Sequence, residues 1–237
     1  MKSQTKPKVF VPLDYADVDA AFAMFRKLFP VNPYFKVGLE LFVSAGPQFI
    51  HKLSAEGAEI FLDLKFHDIP NTVEGAVRSA TRLGVRYMNV HCGGGSAMLE
   101  AAVRARSEAA AKLGVPKPTL LGVTVLTSLD DHAVQEIGFP RSASQQVKHF
   151  VDLAMSAGLD GVVCSAHELP LIAQLAGDKF VTMVPGIRPS WSGADDQKRI
   201  MTPGEAAAAG AHCLVVGRPV TAAADPADAL RKVLAEL

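Results

Sequence analysis

The sequence predicts a single (β/α)8 TIM barrel that spans residues 1–237. Short β-rich segments alternate with amphipathic helical segments along the whole chain, and eight of the β-rich kind can be counted. The length is close to the roughly 250 residues that eight such units usually need. An open, doubly wound sheet is the alternative, but no GxGxxG turn follows the first strand, so the closed barrel is favoured.

The eight predicted strands are short runs rich in β-branched and aromatic residues. They are VFVPLD from Val9, YFKVGL from Tyr34, EIFLDLK from Glu59, YMNVHC from Tyr87, TLLGVTVL from Thr119, GVVCSA from Gly161, FVTMVPGI from Phe180 and HCLVVG from His212. Because a helical segment separates each strand from the next, the sheet should be parallel.

The segments between these strands carry the period of amphipathic helices. Clear examples are DVDAAFAMFRKL, NTVEGAVRSATRLG, SAMLEAAVRARSEAAAKLG and SQQVKHFVDLAMSAG. The last three end in glycine, the residue favoured just past a helix C-terminus. After the seventh strand, by contrast, a long polar loop runs from Arg188 to Arg199. Long loops at this end of a barrel usually serve the active site.

The composition argues against several classes of protein. The 24 basic and 24 acidic residues balance, so neither nucleic acid nor a membrane surface is expected as a partner, and a small molecule is favoured. No apolar run approaches ~20 residues, and none follows the basic start MKSQTKPK, so neither a membrane span nor a secretory signal is predicted. Cys92, Cys164 and Cys213 match no disulfide or C-x-x-C pattern, which indicates reduced thiols in the cytoplasm.

Charged residues in the third strand mark a candidate active site. Asp63 and Lys65 are two residues apart in FLDLKFHD, so both side chains should face the barrel interior while their apolar neighbours face the helices. Lys36 of the second strand would add another cation, and Asp68 follows the end of the third strand. Buried charges are costly unless they are paired, so these residues should form ion pairs.

Two interpretations of these charges remain open. They could form a structural network that closes one end of the barrel. The active-site interpretation is favoured, because all of them fall at the C-terminal ends of strands, where barrels of this kind build their active sites. The chemistry also fits, since carboxylates keep amines protonated and a protonated lysine can neutralise and then protonate a developing carbanion.

The end of the eighth strand suggests a phosphate site. In VVGRPV, the Gly217 amide and the Arg218 guanidinium stand where phosphate-binding barrels hold the anion, although a surface arginine is the ordinary alternative. The HCGGGS run after the fourth strand could also cradle a phosphate, but a tight turn explains it equally well. Neither His67 nor His91 has the H-x-x-x-H or H-x-x-E-H spacing of a metal site, so no metal is predicted.

Over nearly its whole length, the chain resembles the orotidine 5'-phosphate decarboxylase family. The block DLKFHDIPNT, from Asp63 to Thr72, is similar to the catalytic segment of that family. Other similar blocks follow in the family's order: LDYAD around Asp14, FKVGLELF around Lys36, VTVLTS, VPGIRP, DDQKRIMTP and VVGRPVT. Agreement of several blocks in order is far more specific than any single motif.

The resemblance implies a cofactor-free enzyme that converts orotidine 5'-monophosphate to uridine 5'-monophosphate and carbon dioxide, the last step of de novo pyrimidine biosynthesis. The implied catalytic groups are a tetrad of Lys36, Asp63, Lys65 and Asp68, in which Lys65 protonates C6 of the pyrimidine. Loss of carbon dioxide leaves a carbanion that no ring delocalisation relieves, so a fixed ammonium is the expected stabiliser.

The resemblance also implies which residues bind the nucleotide and that the protein is a homodimer with shared active sites. The implied binding residues are Asp14 and Lys36 for the ribose hydroxyls, Thr127 with Ser128 beside it for the pyrimidine, and Arg188, Gln197, Gly217 and Arg218 for the phosphate. The loop that holds Gln197 would close over the phosphate, so that remote binding energy acts on the reacting carbon. Asp68, Ile69 and Thr72 would reach across the dimer interface.

Two departures from the family pattern and two rival functions remain. Pro12 stands where many relatives carry a smaller residue, and Trp191 lies in the long loop, but neither touches a predicted catalytic group.

One rival function is that of a magnesium-dependent keto-sugar-phosphate decarboxylase or synthase, which shares D-x-K-x-x-D; the IPNT extension and the VTVLTS block argue against it. The other is a non-catalytic barrel that binds a nucleotide or a partner protein, and the intact set of charges argues against that.

Overall fold

The computed structural model describes residues 6–192 and 201–237 of the chain. Within them, eight parallel strands close into a barrel in chain order, and the eighth pairs with the first. The strands are β1 (Lys8–Pro12), β2 (Tyr34–Gly38), β3 (Glu59–Phe66), β4 (Tyr87–His91), β5 (Thr119–Val123), β6 (Gly161–Val163), β7 (Val181–Val184) and β8 (Cys213–Val215). Six of them lie inside a predicted segment, and β1 and β3 each extend one residue beyond theirs, to Lys8 and Phe66, so the TIM barrel prediction is confirmed.

Helices follow the strands as the barrel requires. Those of the described residues are α1 (Val18–Leu28), α2 (Leu39–Ala55), α3 (Pro70–Arg82), α4 (Gly95–Leu113), α5 (Asp131–Glu136), α6 (Ala143–Ser156), α7 (Leu169–Ala176), α8 (Pro203–Ala208), α9 (Arg218–Thr221) and α10 (Pro226–Ala235). Two of them, α5 and α9, are short and come directly after the loops that leave β5 and β8. Among the described residues, no helix combines the length and the apolar character needed to cross a membrane.

The helix ends agree with the local sequence signals. The side chains of Asp17 and Ser142 accept hydrogen bonds from backbone N–H groups in the first turns of α1 and α6. These N–H groups have no partner within the helix, so the caps stabilise each start. At the other end of α4, Gly114 adopts φ 66°, a left-handed conformation that glycine adopts without a steric penalty.

Apolar side chains fill two layers. The larger core lies between strands and helices, where for example the rings of Phe25 and Phe35 pack 5.1 Å apart, centroid to centroid. A smaller cluster fills the N-terminal part of the barrel interior, where Phe10 packs against Phe61 and Tyr87 at centroid distances of 6.1 and 5.2 Å. This cluster makes the middle of the barrel interior apolar, and the charged side chains of the candidate site lie beyond it at the C-terminal end.

The three cysteines are free and buried, as the sequence predicts. Burial raises the pKa of the Cys92 thiol to about 12, and burial is also the main reason why the pKa of Cys213 rises to about 12. Thiols of this kind stay protonated at neutral pH and are poor nucleophiles. The cysteines therefore act as small core residues.

A buried arginine joins α4 to the start of two strands. Arg106 is 1% exposed, and its guanidinium donates to the Asp160 carboxylate and to the carbonyl of Pro118, the latter at 3.2 Å. The same carboxylate accepts from the backbone N–H of Leu120 at 2.7 Å. Because the guanidinium has almost no contact with water, its charge depends on Asp160 for compensation.

We expect Asp160→Ala to lower the free energy of unfolding by about 3–5 kcal/mol, because it leaves a buried guanidinium without its partner. The matched control is Asp152→Ala, which removes the exposed partner of Lys148 and should cost less than about 1 kcal/mol. Denaturant unfolding of both variants measures the difference. Equal losses in the two variants would contradict the stabilising role given to Asp160.

Candidate active site

A cavity of ≈ 230 Å³ opens at the C-terminal ends of the strands, where TIM barrels carry their active sites. Its lining includes the charged side chains of Lys36, Asp63 and Lys65 and the hydroxyl side chains of Thr127 and Ser128. A larger cavity of ≈ 900 Å³ lies at the opposite end, around the N-terminal ends of β1 and β8. The smaller cavity is the candidate site, because paired charges converge on it.

Four charged side chains form a continuous row beside this cavity. Nζ of Lys36 lies 3.0 Å from Oδ1 of Asp14 and 3.4 Å from Oδ2 of Asp63. Nζ of Lys65 donates to Oδ1 of Asp63 at 2.7 Å. The side chains of Lys36 and Asp63 are only 12% and 13% exposed. The structure therefore brings together Asp14, Lys36, Asp63 and Lys65, with acids and bases alternating.

The environment of Asp63 favours its ionised form. Burial alone would raise the pKa of this carboxyl, but the ammonium groups of Lys36 and Lys65 and the hydrogen bonds from Lys65 and Asn89 outweigh burial and lower the pKa below its ordinary value. The result is a carboxylate between two amines whose charged form is favoured by its neighbours. It holds both amines in place and carries negative charge at neutral pH.

The backbone of β3 is irregular where it carries these groups. Lys65 has φ 51°, the only positive φ of a non-glycine residue in the described ranges. The pairing of β3 with β4 jumps from Leu62 opposite Met88 to Phe66 opposite Val90, so β3 has two more residues than β4 across this gap. Such a bulge bends the strand and redirects side chains.

The side-chain directions expected from strand alternation are nevertheless those observed. Asp63 and Lys65 both line the cavity, while Leu64 packs against the large core between strands and helices. Alternation did not predict the bulge, because it treats β3 as a regular strand. The irregular backbone and the ion pair with Asp63 together direct the lysine.

Asn89 is a site residue that sequence reasoning missed. It lies on β4, is fully buried, and donates from Nδ2 to Oδ1 of Asp63 at 2.7 Å. Its Oδ1 accepts the backbone N–H of Lys65 at 2.8 Å. The available signal was a single amide in the otherwise apolar start of YMNVHC, at a position that alternation places on the same face as Tyr87.

The residues expected at a dimer interface are exposed in the single chain. Asp68 accepts the backbone N–H of Ile69 at 2.6 Å and makes no ion pair with Lys65 within the described chain. The side chain of Ile69 is a large apolar group that is 67% exposed, and Thr72 is exposed beside it. The single chain therefore unites three members of the expected tetrad, and Asp68 stands apart from them.

The residues expected to bind phosphate follow β7 and β8, at the same end of the barrel. Arg188 is 6% exposed and donates to the carbonyl of Ile187 at 3.2 Å, while Arg218 is exposed at the start of α9. A Cβ atom at Gly217 would lie 3.2 Å from Cγ of Pro12, so only a residue without a side chain fits there easily. Gln197 lies outside the described residues.

A histidine pair lies next to the row of charges. The rings of His67 and His91 are 5.3 Å apart, centroid to centroid. Burial lowers the pKa of His91, and the neighbouring His67 and Lys65 lower it further, against a smaller opposing effect of Asp63. Among the residues that the structure describes, no three His, Cys, Asp or Glu side chains are grouped to hold a metal ion.

The fold and the site define the class of protein, which is a TIM-barrel enzyme that acts on a small polar molecule. Paired lysines and carboxylates at the C-terminal ends of the strands are typical of such an enzyme. The family model described as orotidine 5'-phosphate decarboxylase / HUMPS family matches residues 7–233. The chain belongs to this family.

Similar proteins agree with this assignment. A protein of Moorella thermoacetica described as orotidine 5'-phosphate decarboxylase is 48% identical, covering 100% of this chain and 94% of its own. One of Paramagnetospirillum magneticum with the same description is 46% identical and covers 97% of each chain. The crystal structure of orotidine 5'-phosphate decarboxylase from Lactobacillus acidophilus superimposes with TM-score 0.87 at 37% identity, covering 98% of this chain and 99% of that one.

We expect Asp63→Asn to flatten the acid dependence of stability. A carboxyl with a lowered pKa in the folded state binds its proton more readily in the unfolded chain. It therefore contributes stability that is complete above the unfolded pKa, near 3.8, and is lost as the pH falls through the lower folded pKa.

Denaturant unfolding of wild type and Asp63→Asn from about pH 6 to about pH 3 measures this effect. The difference in unfolding free energy should stay constant in the upper part of the range and shrink in the lower part. A difference that stays constant throughout would mean that Asp63 is not held ionised by its neighbours.

Proposed function

We propose that this protein decarboxylates orotidine 5'-monophosphate to uridine 5'-monophosphate and carbon dioxide, the last step of de novo pyrimidine biosynthesis. The observation that carries the proposal is the row of Lys36, Asp63 and Lys65 at the C-terminal ends of the strands. Relatives described as orotidine 5'-phosphate decarboxylases, 46–48% identical over nearly the whole chain, support it.

In the proposed reaction, Lys65 is the catalytic acid. The bond between C6 and the carboxylate carbon breaks, carbon dioxide leaves, and the electron pair stays on C6. The ammonium of Lys65 donates its proton to C6, and solvent later returns a proton to the amine. Asp63 orients the ammonium through its 2.7 Å contact, so the positive charge stands in position before the negative charge develops.

The nucleotide would lie with its pyrimidine in the cavity. Thr127 and Ser128 line this cavity and offer hydroxyl groups to the ring. Asp14 and Lys36, joined by their 3.0 Å contact, would bind the ribose hydroxyls. The phosphate is assigned to the residues that follow β7 and β8: Arg188, Gln197, Gly217 and Arg218. Binding at this distant end would contribute energy to the reaction at C6.

The proposed chemistry requires no metal and no cofactor. A fixed ammonium beside C6 supplies the positive charge that a metal ion supplies in other decarboxylations, and it also supplies the proton. Magnesium dependence is the property that distinguishes the rival keto-sugar-phosphate enzymes. Turnover of orotidine 5'-monophosphate by EDTA-treated protein therefore tests both the substrate and the absence of a metal requirement.

We also infer a cytoplasmic enzyme that acts on a free nucleotide. The three cysteines are free thiols, which is typical of proteins in reducing compartments. The formal net charge of zero gives no broad basic surface for nucleic acid or anionic lipid.

We expect Lys65→Ala to lower kcat by at least about a thousandfold, because it removes both the proton donor and the charge opposite the carbanion. The assay follows the ultraviolet absorbance of orotidine 5'-monophosphate with EDTA-treated protein. The control variant is Lys148→Ala, which removes an exposed lysine from a pair on α6 and should retain wild-type kcat.

Two outcomes would contradict the proposal. Folded wild type without turnover would exclude this substrate, and activity that disappears with EDTA and returns with magnesium would favour the metal-dependent rival. A Lys65→Ala variant with wild-type kcat would leave the reaction in place but assign the proton to another donor.

We further propose a homodimer in which each chain supplies Asp68 to the site of its partner. Asp68, Ile69 and Thr72 form an exposed edge next to the site, and a large apolar side chain such as Ile69 favours burial against another surface. Asp68 of the partner subunit would then complete the tetrad with Lys36, Asp63 and Lys65.

Mixing inactive variants tests this arrangement. Equal amounts of Asp68→Ala and Lys65→Ala protein should regain about a quarter of the wild-type activity after subunit exchange, since half of the dimers are hybrids and one of their two sites is intact. Exchange itself is checked by mass spectrometry of differently labelled chains. Complete exchange without recovered activity would show that the sites are not shared.

A further inference from the structure

A single side-chain amide holds both ends of the Asp63–Lys65 pair. Nδ2 of Asn89 donates to Oδ1 of Asp63 at 2.7 Å, and Oδ1 of Asn89 accepts the backbone N–H of Lys65 at 2.8 Å. Oδ1 of Asp63 is also the atom that accepts from Nζ of Lys65 at 2.7 Å. The amide therefore contacts the acid directly and fixes the backbone from which the lysine extends.

The irregular pairing of β3 explains why this amide is needed. Across the gap between Leu62 and Phe66, β3 has two residues too many to continue regular pairing with β4. Asn89 is the one residue of β4 inside the gap, and its side chain accepts the N–H of Lys65. A backbone N–H that is partly shielded from water and has no acceptor is unfavourable, so the side chain of Asn89 replaces the ladder bond that the bulge removes. The amide also stabilises the left-handed backbone of Lys65, which has φ 51°.

The same amide fixes the orientation of the carboxylate. Asp63 could rotate about its last side-chain bond, and the two ammonium groups alone would allow either oxygen to face either lysine. With Nδ2 of Asn89 on Oδ1, that oxygen stays with Lys65, and Oδ2 stays 3.4 Å from Lys36. This charge-assisted hydrogen bond therefore favours one of the two orientations of the carboxylate.

We propose that Asn89 is the positioning residue for the acid of this site: it sets the direction of the Lys65 ammonium through the Lys65 backbone and the Asp63 carboxylate. The inference rests on the proposed decarboxylation. Asn89 is fully buried and is not among the described residues that line the cavity. It therefore acts through its two neighbours and does not bind the nucleotide.

Two variants that remove the amide test the proposal. Asn89→Ala and Asn89→Leu both lack the donor and the acceptor, and leucine keeps the volume filled if alanine folds poorly. We expect kcat on orotidine 5'-monophosphate to fall about 10- to 100-fold, as displacement of a reacting group by about 1 Å does, while KM changes less than about threefold.

The third variant, Asn89→Asp, changes the charge. It keeps an acceptor for the Lys65 N–H but places a second carboxylate against Asp63, which raises the pH at which the pair ionises. The acidic limb of the kcat–pH profile should therefore move to higher pH. A purely structural role would lower thermal stability without moving this limb.

Asn32→Ala is the matched control. Asn32 is also a buried asparagine, and its side chain donates to the carbonyls of Val9 and Tyr34 at 2.8 and 3.2 Å, near the start of β2 and away from the site. We expect it to lose stability with kcat of the folded enzyme unchanged.

The outcomes separate this proposal from the one on which it rests. The wild type could turn over the nucleotide while folded Asn89→Leu and Asn89→Asp keep its kcat and its pH profile. That result would overturn the positioning role alone. Equal losses of kcat in Asn32→Ala and Asn89→Ala would overturn it too, because the effect would then be general destabilisation. Folded wild type without turnover of orotidine 5'-monophosphate would overturn both proposals.

Discussion

A carboxylate removed from water must be surrounded by cations and hydrogen-bond donors, and Asp63 meets this requirement with groups from three adjacent strands. Lys36 comes from β2, Lys65 from β3 itself and Asn89 from β4. If one of these groups is displaced, the others face an incompletely compensated charge. The buried charge of Asp63 therefore links the three strands at the site, and the closed barrel holds these strands in register.

The two halves of the barrel interior depend on each other. At the N-terminal end, Phe10, Phe61 and Tyr87 pack as a layer of aromatic rings across the barrel interior. Phe61 also lines the cavity, so the row of charges stands directly on this apolar layer. In such surroundings, charge–charge interactions are stronger than in water, and fixed groups do not need to reorganise during the reaction.

The fold and most of the charged row could be predicted from the sequence, because both follow from local periodicity. Strand alternation places Asp63 and Lys65 on one face, and the order of strands places Lys36 next to them. The role of Asn89 could not be predicted in the same way. It depends on the register between β3 and β4, which shifts at a bulge that no local sequence pattern predicts. Its sequence context is that of an ordinary buried strand.

The left-handed backbone of Lys65 is the feature that the sequence argues against most strongly. A lysine with positive φ costs on the order of 1–3 kcal/mol and persists only where its surroundings determine it. Here the bulge displaces the N–H from regular pairing, Asn89 accepts it, and Asp63 draws the ammonium into the cavity. Because each of these contacts is made at the strand end, the strain is stored in the segment that carries the acid. A regular strand would satisfy its backbone with ladder bonds to β4, leave no role for the amide of Asn89, and hold Lys65 less firmly.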